Sequence, residues 1–295
     1  MTPTAGPPGS TDDPPSRPGR KLGPISETVG TAHRAWLEPV RDKYFTSGLT
    51  VSDLARRAGW SKSKVSELLR GAGLYPSWEL TYGLLHVLGL PAWPMRRLWS
   101  AAALEASKKQ EWVDGSIEKV VLSTGPELPP VDHRAFTDFN REAYLAYTGV
   151  FLPPAAARHV VDEVFDILWL RWEEALVSAN PQKFAWQVLR ASVMARTPHS
   201  DGHPQLGHAA FETVALRQAA RDQQFTQIEE SLALFQAIGR LPALQLDVVV
   251  LMYLRGMSEL RTANVLGVPT AFIGSVERHA KRSLTTALDL GETHP

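Results

Sequence analysis

The sequence contains no cysteine. That excludes a disulfide framework, a thiolate nucleophile and a thiolate-held metal cluster. It also lacks a net charge, because 31 basic side chains balance 31 acidic ones, so no global field draws the chain to nucleic acid or to a membrane. Long apolar runs are missing as well. The longest, Val248 to Leu254, falls far short of the roughly 20 residues needed to cross a bilayer, and no apolar signal core opens the chain. A soluble, cytoplasmic protein with no membrane partner is therefore expected. Common enzyme motifs are absent too: there is no phosphate-cradling glycine loop, no H-E-x-x-H and no G-x-S-x-G. The carboxylate pairs Glu173–Glu174 and Glu229–Glu230 are adjacent, so on a helix they diverge by about 100° and cannot share a site. Neither catalysis, nor a cofactor, nor a metal is expected.

What is present is unevenly distributed. Residues 31–110 hold 12 Lys and Arg against 6 Asp and Glu, whereas residues 111–147 hold 3 against 7. A basic N-terminal domain is thus followed by an acidic connector. Residues 1–30, crowded with Pro, Gly, Ser and Thr, bury too little apolar surface to offset their ordering entropy and read as a disordered tail. The Pro-rich stretch STGPELPPVD marks a linker over 111–134, with a short helix at Gly115–Leu122 inside it. A polar second linker spans 197–224, in which His199, His203 and His208 stand beside Asp201 with no helix to hold them around a metal. Three units remain, at 31–110, 135–196 and 225–290, and all are patterned as helices. The expected fold class is all-α.

The first unit centres on LTVSDLARRAGWSKSKVSELLRG, Leu49 to Gly71. Thr50 and Asp53 form a T-x-x-D capping pair, Gly59 breaks the first helix, Ser61 caps the second and Gly71 closes it. Val65, Leu68 and Leu69 make the buried stripe, which leaves Ser61, Lys62, Ser63, Lys64 and Glu67 outside. Together with TYGLLHVLGL and MRRLWSAAALEA, these residues resemble the lambda-repressor-like, or xenobiotic-response-element (XRE), helix-turn-helix domains. The resemblance implies binding to double-stranded DNA. Arg56, Arg57, Lys62 and Lys64 would meet phosphates, and Ser63, Lys64 and Glu67 would face base edges. Such domains also serve for dimerisation or protein contact alone, so a homodimer stays open.

The C-terminal unit is built on LPALQLDVVVLMYLRGMSELRTANVLGVPTAFIGSVERHAKRSLTTAL. Ser258 caps a short helix, Gly267 ends it, and Pro269 and Thr270 start a longer one with Ile273, Val276, Ala280, Leu284 and Leu288 on one side. Thr270, Ser275, Arg278, His279, Lys281 and Arg282 are its candidate DNA contacts. This stretch resembles region 4 of the extracytoplasmic-function type of sigma factor, which implies reading of a promoter −35 element. Gly274 and Val276 stand where that family has basic residues. In the middle unit, RHVVDEVFDILWLRW carries Val161, Val164, Phe165, Leu168, Trp169 and Trp172 at helical spacing. Its other face shows Asp162, Glu163, Asp166 and Arg171. With REAYLAYTGVFLPPAAA before it and NPQKFAWQVLRASVMAR after it, this unit resembles sigma region 2. By that resemblance the four charged residues would dock on RNA polymerase, core or holoenzyme. Phe184 and Trp186 are either core residues or platforms for an unstacked base.

Taken together, these readings imply a transcription regulator with an N-terminal DNA reader on a sigma-like body. One alternative is a working sigma factor. Another is an interaction scaffold that binds no DNA.

Overall fold

The computed structural model describes residues 22–120, 127–207 and 224–292, the last segment with side chains from 232 to 288. The first unit comprises α1 (Thr31–Thr46), α2 (Val51–Ala58), α3 (Lys62–Arg70), α4 (Trp78–Leu88), α5 (Ala92–Glu105) and α6 (Gln110–Glu118). Its core is built on Trp36, Trp78 and Trp99, all fully buried. Large amphipathic rings need their polar atoms paired when they leave water. Trp36 Nε1 donates to the Tyr75 hydroxyl at 3.1 Å, and that hydroxyl donates to the Trp99 carbonyl at 2.6 Å.

Two expected boundaries move. The helix placed inside the linker is α6, and it belongs to this core. Val113 is buried there, and the Ser116 hydroxyl accepts from the Trp78 N–H at 2.8 Å, satisfying one of the free donors at the start of α4. The tail reading is too long at its C-terminal end. Val29 is buried, Leu22 and Ile25 pack on the same core, and the Ser26 N–H donates to the Arg70 carbonyl at 2.8 Å. Residues 1–21 lie outside the described residues.

The body follows with α7 (Val131–Thr148), α8 (Pro154–Leu170), α9 (Trp172–Val177) and α10 (Pro181–Met194). A minimal antiparallel hairpin, β1 (His199–Ser200) with β2 (His203–Pro204), occupies the start of the expected second linker. Then come α11 (Gln224–Gly239), α12 (Ala243–Val249, running on as a π-helical turn over Val250–Leu254), α13 (Glu259–Leu266) and α14 (Thr270–Glu292).

The middle and C-terminal units, expected to be separate, share one core. Tyr144, Phe165, Trp186 and Leu189 pack in the same apolar cluster as Leu246, Leu251, Val265, Ile273 and Val276. A buried carboxylate joins the halves. Asp247 on α12 is 2% exposed and accepts from Tyr147 Oη at 2.7 Å, Trp186 Nε1 at 2.9 Å and Arg190 Nε at 3.1 Å. A second joint lies at Gly267, where Asn180 Nδ2 donates to the glycine carbonyl at 3.0 Å. With φ at +66° and only 2.3 Å between an added Cβ and the Lys183 backbone nitrogen, no other residue fits there. The first unit docks on this body through α5 and α8, with Ile167 buried in the N-terminal core.

Candidate nucleic-acid interface

The α2–α3 pair is set by local chemistry. Thr50 accepts from the Asp53 N–H at 3.1 Å while Asp53 accepts from the Thr50 N–H, a complete capping box. The Asp53 carboxyl is accordingly held below its usual range, chiefly by the hydrogen bonds from Thr50. Gly59 takes the left-handed conformation at φ +74°, and the Ser61 hydroxyl accepts from the Lys64 N–H at the head of α3. Leu54, Val65 and Leu69 are fully buried, so the opposite face of α3 turns outward. At its far end α3 is tied by a residue the sequence reading missed. Arg41 of α1 is buried and donates to the Leu69 and Gly23 carbonyls, the latter at 3.0 Å, giving the last turn of α3 a cationic cap.

The residues expected to meet DNA lie on the outer face of α3 and at the end of α2. Arg56, Arg57, Ser61, Lys62, Ser63, Lys64 and Glu67 are all exposed. Arg56 is 76% exposed but ion-paired to Asp53 at 2.7 Å. Ser61 spends its hydroxyl as the cap. Among the described residues, no ion pair engages Arg57, Lys62 or Lys64. Three unspent cations therefore sit where α2 ends and α3 begins, beside the positive end of the α3 dipole, an arrangement suited to phosphate.

Residues 33–98 match the family model of the helix-turn-helix domain. The match runs from α1 through the middle of α5 and includes every exposed residue just named. No curated protein matches the chain.

The C-terminal pair resembles the helix-turn-helix domain in outline and differs in setting. Its caps are as expected: the Ser258 hydroxyl accepts from the Arg261 N–H at 3.2 Å, and Gly267 ends α13. Arg278, His279 and Arg282 are exposed, and Thr270 and Ser275 are half-buried. Lys281 is engaged: it pairs with Glu277 at 2.8 Å and lies over the Tyr253 ring, and the Glu277 bond above all raises its pKa. The turn at Gly267 is occupied by the first residues of α10, and Arg261 of α13 bonds the Phe139 carbonyl of α7. The body thus packs against the turn of this pair, leaving Gly267 and Val268 half-buried and Pro269 exposed.

The face expected to meet polymerase needs correction. Glu163 and Asp166 are buried, Glu163 against Arg196 at 2.7 Å and Asp166 against Arg97 of the helix-turn-helix domain, with Arg97 Nε 2.8 Å from Oδ2. Burial pushes the Asp166 carboxyl up despite that partner. Arg171 forms a two-pronged bond to Glu174 at 2.7 Å and covers the Phe184 ring, while Asp162 pairs with Arg141. Glu163 and Asp166 are thereby withdrawn from the surface, whereas Asp162 stays exposed and Arg171 half-exposed. The reason is geometric: α8 is packed against α7, α10 and α5, so two of its polar positions, Glu163 and Asp166, also meet protein. Trp186, a candidate base platform, is a core residue bonded to Asp247. Phe184 is half-buried beneath Arg171.

Among the described residues, no cluster of three or more His, Asp or Glu is placed to hold a metal, and His208 lies outside them. No described helix is long and apolar enough to cross a membrane.

Proposed function

We propose that this protein is a sequence-specific DNA-binding regulator of transcription that lays α3 of its N-terminal helix-turn-helix in the major groove. The observation that carries the reading is the set of exposed, unpaired cations Arg57, Lys62 and Lys64 around the capped start of α3. That end of a recognition helix points at base edges and phosphates. Ser63, Lys64 and Glu67 are the proposed base readers, and the arginines and lysines supply the salt-dependent part of the affinity. The work is equilibrium binding, without covalent chemistry. Fluorescence anisotropy with duplexes selected from a random pool tests it. Lys62→Ala with Lys64→Ala should weaken binding and flatten the salt slope by up to about 0.9 per lost phosphate contact. An unchanged slope would remove α3 from the interface.

The resemblance to sigma regions 2 and 4 extends the proposal to polymerase and promoter engagement by the body. Support comes from helices at the expected places and from the exposed Arg278, His279 and Arg282. Opposed to it are the burial of Glu163 and Asp166 and the seating of α10 against the turn at Gly267. We therefore place the DNA-reading role on the N-terminal domain and treat the body as a unit that assists it. Transcription with core polymerase and no other sigma factor separates the readings, because promoter-specific transcripts would make the body a working sigma factor.

A further inference from the structure

A cavity of about 460 Å³ opens where the helix-turn-helix domain meets the body, lined by α5, α7 and α8. Its volume is within the range of small-molecule sites, roughly 300–1,000 Å³. Two side chains in its wall stand out. Arg134 and Asp138 lie four residues apart on α7, the spacing at which opposite charges on a helix meet. Some pairs at this spacing close, as Arg34–Glu38 at 3.6 Å and Glu277–Lys281 at 2.8 Å do, and others, Asp53–Arg57 and Arg158–Asp162, turn to other partners or to water. The Arg134 and Asp138 side chains do not close, and among the described residues neither bonds any other group.

The rest of the lining is aromatic and polar. From α8 come Phe165 and the half-exposed Trp169. His133, also in the wall, is buried with Nε2 placed 3.1 Å from the Phe165 carbonyl and Nδ1 without a partner. With Nε2 donating to that carbonyl, the ring is neutral, as its burial favours, and Nδ1 lies closed off behind the wall. A cation and an anion that bond no protein group thus share a single wall with aromatic faces.

We propose that this cavity binds a small aromatic zwitterion of the α-amino-acid class, its carboxylate on Arg134, its ammonium on Asp138 and its ring against Trp169. A ligand of either charge alone would leave one member of the Arg134–Asp138 pair desolvated without a partner, a cost for which affinity falls. The Arg97–Asp166 ion pair lies in the same wall and joins the DNA-reading domain to the body. Ligand binding and duplex binding are then linked, and the linkage is reciprocal. That second statement rests on the DNA-binding reading; the site itself does not.

Calorimetry on the full chain without DNA, using L-phenylalanine, L-tyrosine and L-tryptophan, tests the site. At least one should bind with Kd below about 1 mM, with L-alanine, phenethylamine and phenylacetate about tenfold or more weaker. Arg134→Gln and Asp138→Asn, both at solvent-exposed positions that leave the core intact, should each weaken binding about tenfold. Trp169→Leu should do the same. Absence of binding by all three amino acids, equal binding by phenylacetate, or unchanged affinity in either charge variant would overturn the proposal. Duplex affinity is then measured with and without the tightest ligand. A shift supports the linkage, and ligand binding with no shift removes the linkage and leaves the site.

Discussion

Replacing Asp247 with Ala is the sharpest test of the joined body. The wild-type carboxylate serves three donors from α7 and α10. Its removal strands the Tyr147 hydroxyl and the Trp186 Nε1, on residues 0% and 5% exposed, each at about 1–3 kcal/mol. Arg190, with 28% of its side chain exposed, recovers part of its solvation from water. Burial raises the Asp247 pKa even against these partners, so the variant also escapes a desolvation cost. The balance is a loss of about 3–5 kcal/mol, the scale of a broken buried pair and a large share of a typical 5–15 kcal/mol stability. Urea unfolding followed by far-UV circular dichroism should show the midpoint fall with an unchanged slope. In a double-mutant cycle, Tyr147→Phe should cost much less in the Asp247→Ala background than in wild type. A loss below about 1 kcal/mol, or strict additivity with Tyr147→Phe, would refute the joint.

Other expectations can be checked in the same assays. Gly267→Ala should destabilise by more than about 2 kcal/mol, since the Cβ meets the Lys183 backbone at 2.3 Å and φ is +66°; a smaller loss would mean that α10 does not seat on this turn. Thr50→Ala should cost about 1 kcal/mol through the lost cap and should weaken duplex binding less than the Lys62 and Lys64 changes do. Burial, and secondarily the Arg34 charge, hold His33 at about 4, below its ordinary 6.5. The folded state therefore favours the neutral ring, and its contribution to stability is complete above pH 6.5 and is lost as pH falls toward 4. His133, lowered by burial, acts in the same sense, while Asp166 and Asp247, raised by burial, act in the opposite one. His33→Phe, which keeps a ring on Trp36, should lessen the fall in melting temperature across that window, and an identical acid profile would exclude His33 as its source.

Local features were legible in the sequence. The α2–α3 pair was readable because its signals are short-range: Thr50 with Asp53, then Gly59, Ser61 and Gly71, all within one stretch. The caps at Ser258 and Gly267 were readable for the same reason. What stayed hidden depends on contacts between distant residues. Tyr147 and Asp247 are 100 positions apart, Arg97 and Asp166 are 69 apart, and no periodicity reports such a pairing. One cue was available: Asp247 is a lone charge in the apolar run LQLDVVVL, which marks a buried carboxylate in need of donors. The outer face assigned to α8 failed at Glu163 and Asp166 because helical spacing shows which residues are apolar but not how many neighbours surround the helix. Arg41, an ordinary-looking cation in α1, became the cap of α3 only through the fold.

The shared core of the body decides how this molecule can be dissected. A fragment ending after α10 would leave Tyr147 and Trp186 without their acceptor, and one beginning at α11 would leave the Asp247 carboxylate without its donors and the side of α13 that faces α10 uncovered. Neither piece would fold as it does in the whole, so truncation cannot apportion roles between them. Only point changes in the intact chain can.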